Sequence, residues 1–308
     1  MKISRICSVF AVFLLAGKGF AWNATGHRVI AAIAYDHLSA KARKRVDALL
    51  EKHPDYNGLL TKDAPADEAG RHRAAFLAAA VWPDTIKGDP RFYDDLRPDA
   101  KPTPLLPGFP YMARHTNWHY IDIPLSGDGT PVENPMPPNA LTELNRILKE
   151  LAQHSEMSAY DLPWLLHIEG DVHQPLHDSS RFLKSLPKGD AGGNSVFVQP
   201  GRNLHSLWDG ALGEDASLAT VDKLARELAV EFRTKAHAKL TTRPKFWIDD
   251  GYALALRRVY TFGPEAGSRE HPLMLSAAYV DQVHATARQQ VAIAGFRLAR
   301  TINQILRN

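Results

Sequence analysis

The stretch HIEGDVHQPLHD, residues 167–178, sets three histidines and two aspartates close to a proline. The apolar residues leading into it predict a helix from about Leu162 to His173 that stops near Pro175, because proline lacks an amide hydrogen and disfavours a helical residue before it. On that helix His167 and Asp171, four apart, share a face and can hold the same or adjacent cations. His205 and Asp209 repeat the spacing in NLHSLWD, residues 203–209. Neither pair means much alone, since a single histidine is more often a surface or hydrogen-bonded core residue than a metal ligand.

Working outward, helical periodicity dominates. Val29, Ile30, Ile33, Ala34 and Leu38 recur at helical spacing, and Ser39 can cap a second helix through Val46, Leu49 and Leu50. Asn139 can cap a third, with Leu141, Leu144, Ile147, Leu148 and Leu151 on one face. Residues 276–306 have the length and alanine content of one long helix. Strand signals are few, the best being NSVFVQ at 194–199. The proline-rich segments 98–110 and 124–138 are too long to be incidental connections. The expectation is an all-α fold, one domain with long functional loops.

At the N-terminus, Lys2 and Arg5 precede the apolar run 9–16, and Gly19 and Ala21 suit a cut after Ala21. This predicts a cleaved secretory signal at 1–21, too short to span a bilayer, and a domain at 22–308 free of the membrane in the periplasm or medium. Cys7, the only cysteine, falls inside that segment, so the mature chain has no disulfide and a bound metal is a candidate staple. The net charge of +3 equals the contribution of Lys2, Arg5 and Lys18, leaving the remainder formally neutral. A phosphate-binding role would therefore need local positive charge and not a basic surface.

Six stretches in order, WNATGH (22–27), WPDTIK (82–87), NWHYID (117–122), HIEGDVHQPLHD, GGN (192–194) and NLHSLWD, resemble the zinc-dependent single-strand-specific nucleases of class I, the S-one/P-one family of the phospholipase C/nuclease superfamily. The resemblance spans 22–209. It implies a mainly helical fold with three Zn2+ at the bottom of a cleft. Asp84, His119, His167 and Asp171 would surround the first zinc, and His177, His205 and Asp209 the second. The third would take His27, a shared oxygen of Asp171, and the α-amine and carbonyl oxygen of Trp22 once the signal is removed. Without thiolates such ions stay Lewis acidic, with positions open for water and phosphate.

The same resemblance gives catalytic weight to Asp171 as the bridge and to Lys87 as a phosphate contact. It makes Tyr120 the aromatic that stacks on a nucleobase and Asp122 the acid that hydrogen-bonds it. A solvated loop lysine, a core tyrosine and a supporting aspartate are the plain alternatives for these three. His173 and Asp178 are expected to support neighbours through hydrogen bonds, not to bind metal. The implied activity is endonuclease cleavage of single-stranded DNA and RNA to 5′-phosphate products, with 3′-nucleotidase action on 3′-nucleotides, by a monomer. Departures from the family touch the base pocket: Pro124 and Leu125 follow Ile123, and Gly210 follows Asp209. The NAT sequon at 23–25 reads as coincidental. Two other readings compete, a zinc-dependent phospholipase C and a non-enzymatic periplasmic zinc-binding protein. Asp209 as the last donor argues against the first, and a basic group and a stacking aromatic beside the metals argue against the second.

Overall fold

A computed structural model of the chain describes residues 22–263 and 265–307; the expected signal segment 1–21 lies outside them. Helix α1 (Ala24–Asp36) starts where the Asn23 side-chain oxygen accepts from the Gly26 amide at 3.2 Å. The Asn23 amide donates to the Gly213 carbonyl at 2.7 Å, so the sequon asparagine is engaged at both ends. Helix α2 (Ala40–Glu51) is capped by Ser39 as expected. Two further helices, α3 (Glu68–Ala79) and the short α4 (Trp82–Thr85), carry the chain to WPDTIK. Helix α5 (Ala140–Ala152) opens with a reciprocal capping box between Asn139 and Thr142.

Helix α6 (Ser158–Asp171) differs from its expected bounds at both ends. It begins before Leu162 and carries Pro163 inside, forfeiting one backbone bond near its start. A bidentate pair between Arg146 of α5 and Asp161, 3.0 Å on each arm, holds that turn. The helix ends at Asp171 because the backbone tightens ahead of Pro175, with the His173 amide on the Gly170 carbonyl at 3.1 Å. Leu162, Trp164, Leu165, Leu166 and Ile168 are all wholly buried, so α6 is the central helix and is covered on all sides.

The remaining helices are α7 (Leu204–Asp209), α8 (Leu218–Glu231), α9 (Arg233–Ala238), α10 (Pro244–Leu254) and α11 (Ala277–Ile305), the last capped by Ser276. Helix α11 makes its most extensive packing against α1. Gly295 allows the close approach: a Cβ there would lie 2.6 Å from Ile33 Cβ. Among the described residues no helix is long and apolar enough to cross a membrane.

Strand content is small but decisive for position. Strands β1 (Ile123–Ser126) and β2 (Ser179–Phe182) pair in parallel, Ile123 opposite Ser179, and the pairing extends backwards through the Ile121 amide on the His177 carbonyl at 2.9 Å. NWHYID is thereby brought beside HQPLHD. The expected strand at 194–199 shrinks to β3 (Phe197–Val198), paired antiparallel with β4 (Arg202–Asn203). That hairpin starts α7 beside Gly192 and Gly193.

Candidate metal centre and cleft

Three groups of buried donors lie together, each with its ligand atoms within 4.8 Å of one another: Asp84, His119 and His167; His27, His167 and Asp171; His177, His205 and Asp209. The donors come from six separate segments of the chain. Asp84 is on α4, His119 precedes β1, His27 is on α1, and α6 supplies His167 and Asp171. His177 lies in the turn before β2, and α7 supplies His205 and Asp209.

Asp171 divides its two oxygens between the first two groups. Oδ2 is 3.0 Å from His119 Nδ1 and 3.3 Å from His167 Nε2, while Oδ1 is 3.2 Å from His27 Nε2. The latter two atoms face each other without a hydrogen bond, both buried. Gly170 makes this possible. A glycine inside a helix costs about 1 kcal/mol relative to alanine, but a Cβ here would sit 2.9 Å from His27 Nδ1.

Carbonyl oxygens fix the imidazoles. His167 Nδ1 donates to Ala80 O at 2.7 Å, His177 Nδ1 to His119 O at 2.6 Å, and His205 Nδ1 to Gly192 O at 2.7 Å. A carbonyl only accepts, so in the neutral ring each Nε2 is left with a bare lone pair turned inward. Gln174 aligns the last carboxylate: its amide donates to Asp209 Oδ1 at 2.8 Å and its oxygen takes the Leu176 amide at 2.7 Å. Gln174 lies within the first quoted stretch, yet nothing in the local sequence marks a contact with a residue 35 positions away.

The electrostatics suit cations. Burial pushes His119 and His205 down to about 3, helped by Lys87 and His177 respectively, and burial also lowers His27 and His177. Burial thus favours the neutral form of all four rings, the form that can donate to a metal. Burial alone would raise Asp84 and Asp171, but Lys87 and His167 around the first, and His167, His119 and His27 around the second, hold both below the usual carboxylate range. His167 moves the other way: burial opposes its charge, but Asp171 and Asp84 outweigh burial and raise it. Asp209 is pushed well up by burial, a cost to its charged form that a bound cation would offset.

His119, His177 and His205 form the floor of a cleft of about 340 Å³. Lys87, Tyr120 and Asp122 line it with them. Lys87 Nζ donates to Asp84 Oδ1 at 2.7 Å. Asp122 has a positive φ of 51°, which turns it to the same cleft as Tyr120 while Ile121 between them is buried. Burial, and then Asp190, push Asp122 up to about 7. Asp94, Leu96, Arg114 and Thr116, from the segment between α4 and His119, form a further part of its wall that no motif in the sequence marks. A larger groove of about 740 Å³ lies between α2 and the start of α6, at the other end of that helix from His167 and Asp171, and holds none of the three donor groups.

Trp22 is wholly buried, and a Cβ on Gly26, the neighbour of His27, would lie 2.6 Å from Trp22 Cβ. His173 donates from Nδ1 to Glu169 O at 2.6 Å and accepts from Arg297 at 3.0 Å, away from the donor groups. Asp178 departs from expectation. Neither of its oxygens has a hydrogen-bond partner, and burial, reinforced by Asp171, pushes its pKa well above the carboxylate range.

A helical chain that gathers neutral imidazoles and carboxylates at the floor of an open cleft defines a metal-dependent enzyme with coordination positions left for substrate. Comparison with known proteins narrows the class. The S1/P1 Nuclease profile matches residues 22–307. Nuclease S1 of Aspergillus oryzae is 24% identical over 96% of this chain and 95% of its own length. Endonuclease 2 of Arabidopsis thaliana is 29% identical over 49% of this chain and 54% of its own, and Nuclease P1 of Penicillium citrinum is 27% identical over 54% and 65%. The chain belongs to the S1/P1 nuclease family, whose members are metal-dependent phosphodiesterases.

Proposed function

We propose that the protein is an exported, zinc-dependent endonuclease that cuts single-stranded DNA and RNA to 5′-phosphate products and also removes phosphate from 3′-nucleotides. The observation that carries the reading is the division of Asp171 between two donor groups, Oδ1 towards His27 and Oδ2 towards His119 and His167. A carboxylate so placed suits a pair of neighbouring cations. Three zinc ions fit the donors: Asp84, His119, His167 and Asp171 for one; His177, His205 and Asp209 for another; His27, Asp171 and the freed amine and carbonyl of Trp22 for the last. Bound there, zinc supplies Lewis acidity towards phosphate oxygens.

The chain's own groups do the rest. Lys87, steadied by Asp84, presents its ammonium to the negative charge that grows on the phosphate. Tyr120 offers a ring on which an unstacked base can lie, a requirement that favours single strands over duplex. Asp122 hydrogen-bonds the edge of that base. The carbonyls of Ala80, His119 and Gly192 keep the imidazoles from turning as substrate enters.

The test is one panel, with zinc content measured alongside: denatured DNA, RNA, 3′-AMP and a phosphatidylcholine analogue. Release of 5′-phosphate ends from the nucleic acids is expected. Turnover of the lipid alone, or 3′-phosphate ends, would overturn the proposal.

A further inference from the structure

The loop wall of the cleft contains an arginine that the metal chemistry does not use. Arg114 lines the cleft together with Lys87, His119 and Tyr120. Its guanidinium is held by backbone alone: Nε donates to Phe92 O at 2.9 Å, and Nη2 reaches Asp89 O at 3.5 Å. Among the described residues no carboxylate hydrogen-bonds it. The acid nearest in sequence to those carbonyls, Asp89, is taken by Arg91, which contacts it from its amide, Nε and Nη2 and also clamps Asp55 at 2.8 and 3.1 Å.

The backbone that carries Arg114 is pinned. Tyr93 N donates to Met112 O at 2.9 Å, Arg114 N to Tyr93 O at 3.0 Å, and His115 N to Asp95 Oδ1 at 2.9 Å. A cation fixed by carbonyls, with no carboxylate hydrogen-bonded to it and only the field of Asp89 beside it, is set to receive an anion from the cleft. Lys87 is different, lying among the metal donors and bonded to Asp84. Asp94 in the same wall weakens attraction for a free anion, so a phosphate must be brought to Arg114 by a strand anchored elsewhere in the cleft.

We infer that Arg114 binds a second phosphate of the strand, next to the one that is cut, and so selects polynucleotides over mononucleotides. The inference rests on the nuclease reading above. Arg114 is a positioning residue in it, not part of the cutting machinery.

The experiment uses the zinc-loaded protein and its Arg114→Ala and Arg114→Lys variants, on a single-stranded oligonucleotide and on 3′-AMP, over a salt series. For the oligonucleotide, Arg114→Ala should raise KM by roughly tenfold with kcat within about twofold. The slope of log KM against log salt should fall by about 0.7, one single-strand phosphate contact. Kinetics on 3′-AMP should not change, and Arg114→Lys should keep the slope. An unchanged slope and KM for the oligonucleotide, or equal losses on both substrates, overturns the inference while leaving the nuclease reading intact. A wild-type protein that cuts no strand overturns both.

Discussion

His177 Nε2 and His205 Nε2 face each other across 3.1 Å, while the Nδ1 of each ring donates to a backbone carbonyl. Burial lowers both pKa values, which disfavours a second proton on either ring. Two lone pairs held so close repel, and a shared cation with bonds of about 2.0–2.1 Å relieves them. Carbonyls on separate segments set the ring angles that bring the two nitrogens together.

The first expectation concerns that pair. Removing metal with excess chelator should lower the melting temperature as well as abolish activity, because no disulfide holds the mature chain and three donor groups lose their shared counter-charges. Gln174→Ala, which frees the Asp209 carboxylate, should weaken one metal by roughly 10–100-fold. Calorimetry with and without chelator, and zinc titration of the variant, check both; a melting temperature indifferent to chelator would count against metal as a staple.

Asp171 and His173 separate position in the motif from role. Asp171→Asn should cut activity by about 10³-fold or more, since one carboxylate serves two donor groups. His173→Ala removes a buried partner of Arg297 and should cost roughly 1–3 kcal/mol of stability with metal content unchanged. Equal losses of zinc from the two variants would show the assignment to be wrong.

Asp122 gives a pH signature. With its pKa near 7 it is a neutral donor below that pH and an anion above it. The KM for single strands should therefore climb as pH passes about 7, and Asp122→Asn should flatten the climb. Linkage has a definite sign as well. The folded pKa lies above the unfolded one, so this group's contribution is present in acid and is lost as pH rises from about 4 through 7. A KM profile that is the same in Asp122→Asn would remove Asp122 from the base site.

The N-terminal proposal ties export to metal binding. A free α-amine, with a pKa near 8, can give up its proton to a metal, whereas an amide nitrogen cannot. Protein cut after Ala21 should hold three zincs, and a form with one glycine before Trp22 about two, with little activity. Full zinc content and activity in the extended form would force a search for another donor beside His27.

Much of this protein was legible in its order of residues. Caps at Ser39 and Asn139, apolar spacing in α1 and α5, and the alanine content of α11 follow from rules that act within a few residues, so those helices could be placed from local chemistry. The i, i+4 pairs His167–Asp171 and His205–Asp209 are likewise local, and both lie on helices. The start of α6 was not legible, because the clamp that tolerates Pro163 is Arg146 on another helix. Nor was the parallel pairing of β1 with β2, since IPLS contains a proline and SSRF is mostly polar, and the two strands lie more than fifty residues apart in the chain. Tertiary structure alone also decided which ring nitrogens face inward, that Gln174 holds Asp209, that Asp178 is left without a partner, and that Arg114 stands in the cleft wall. Each depends on a carbonyl, a carboxylate or a void supplied from far along the chain, and pairing of that kind leaves no periodicity in the sequence.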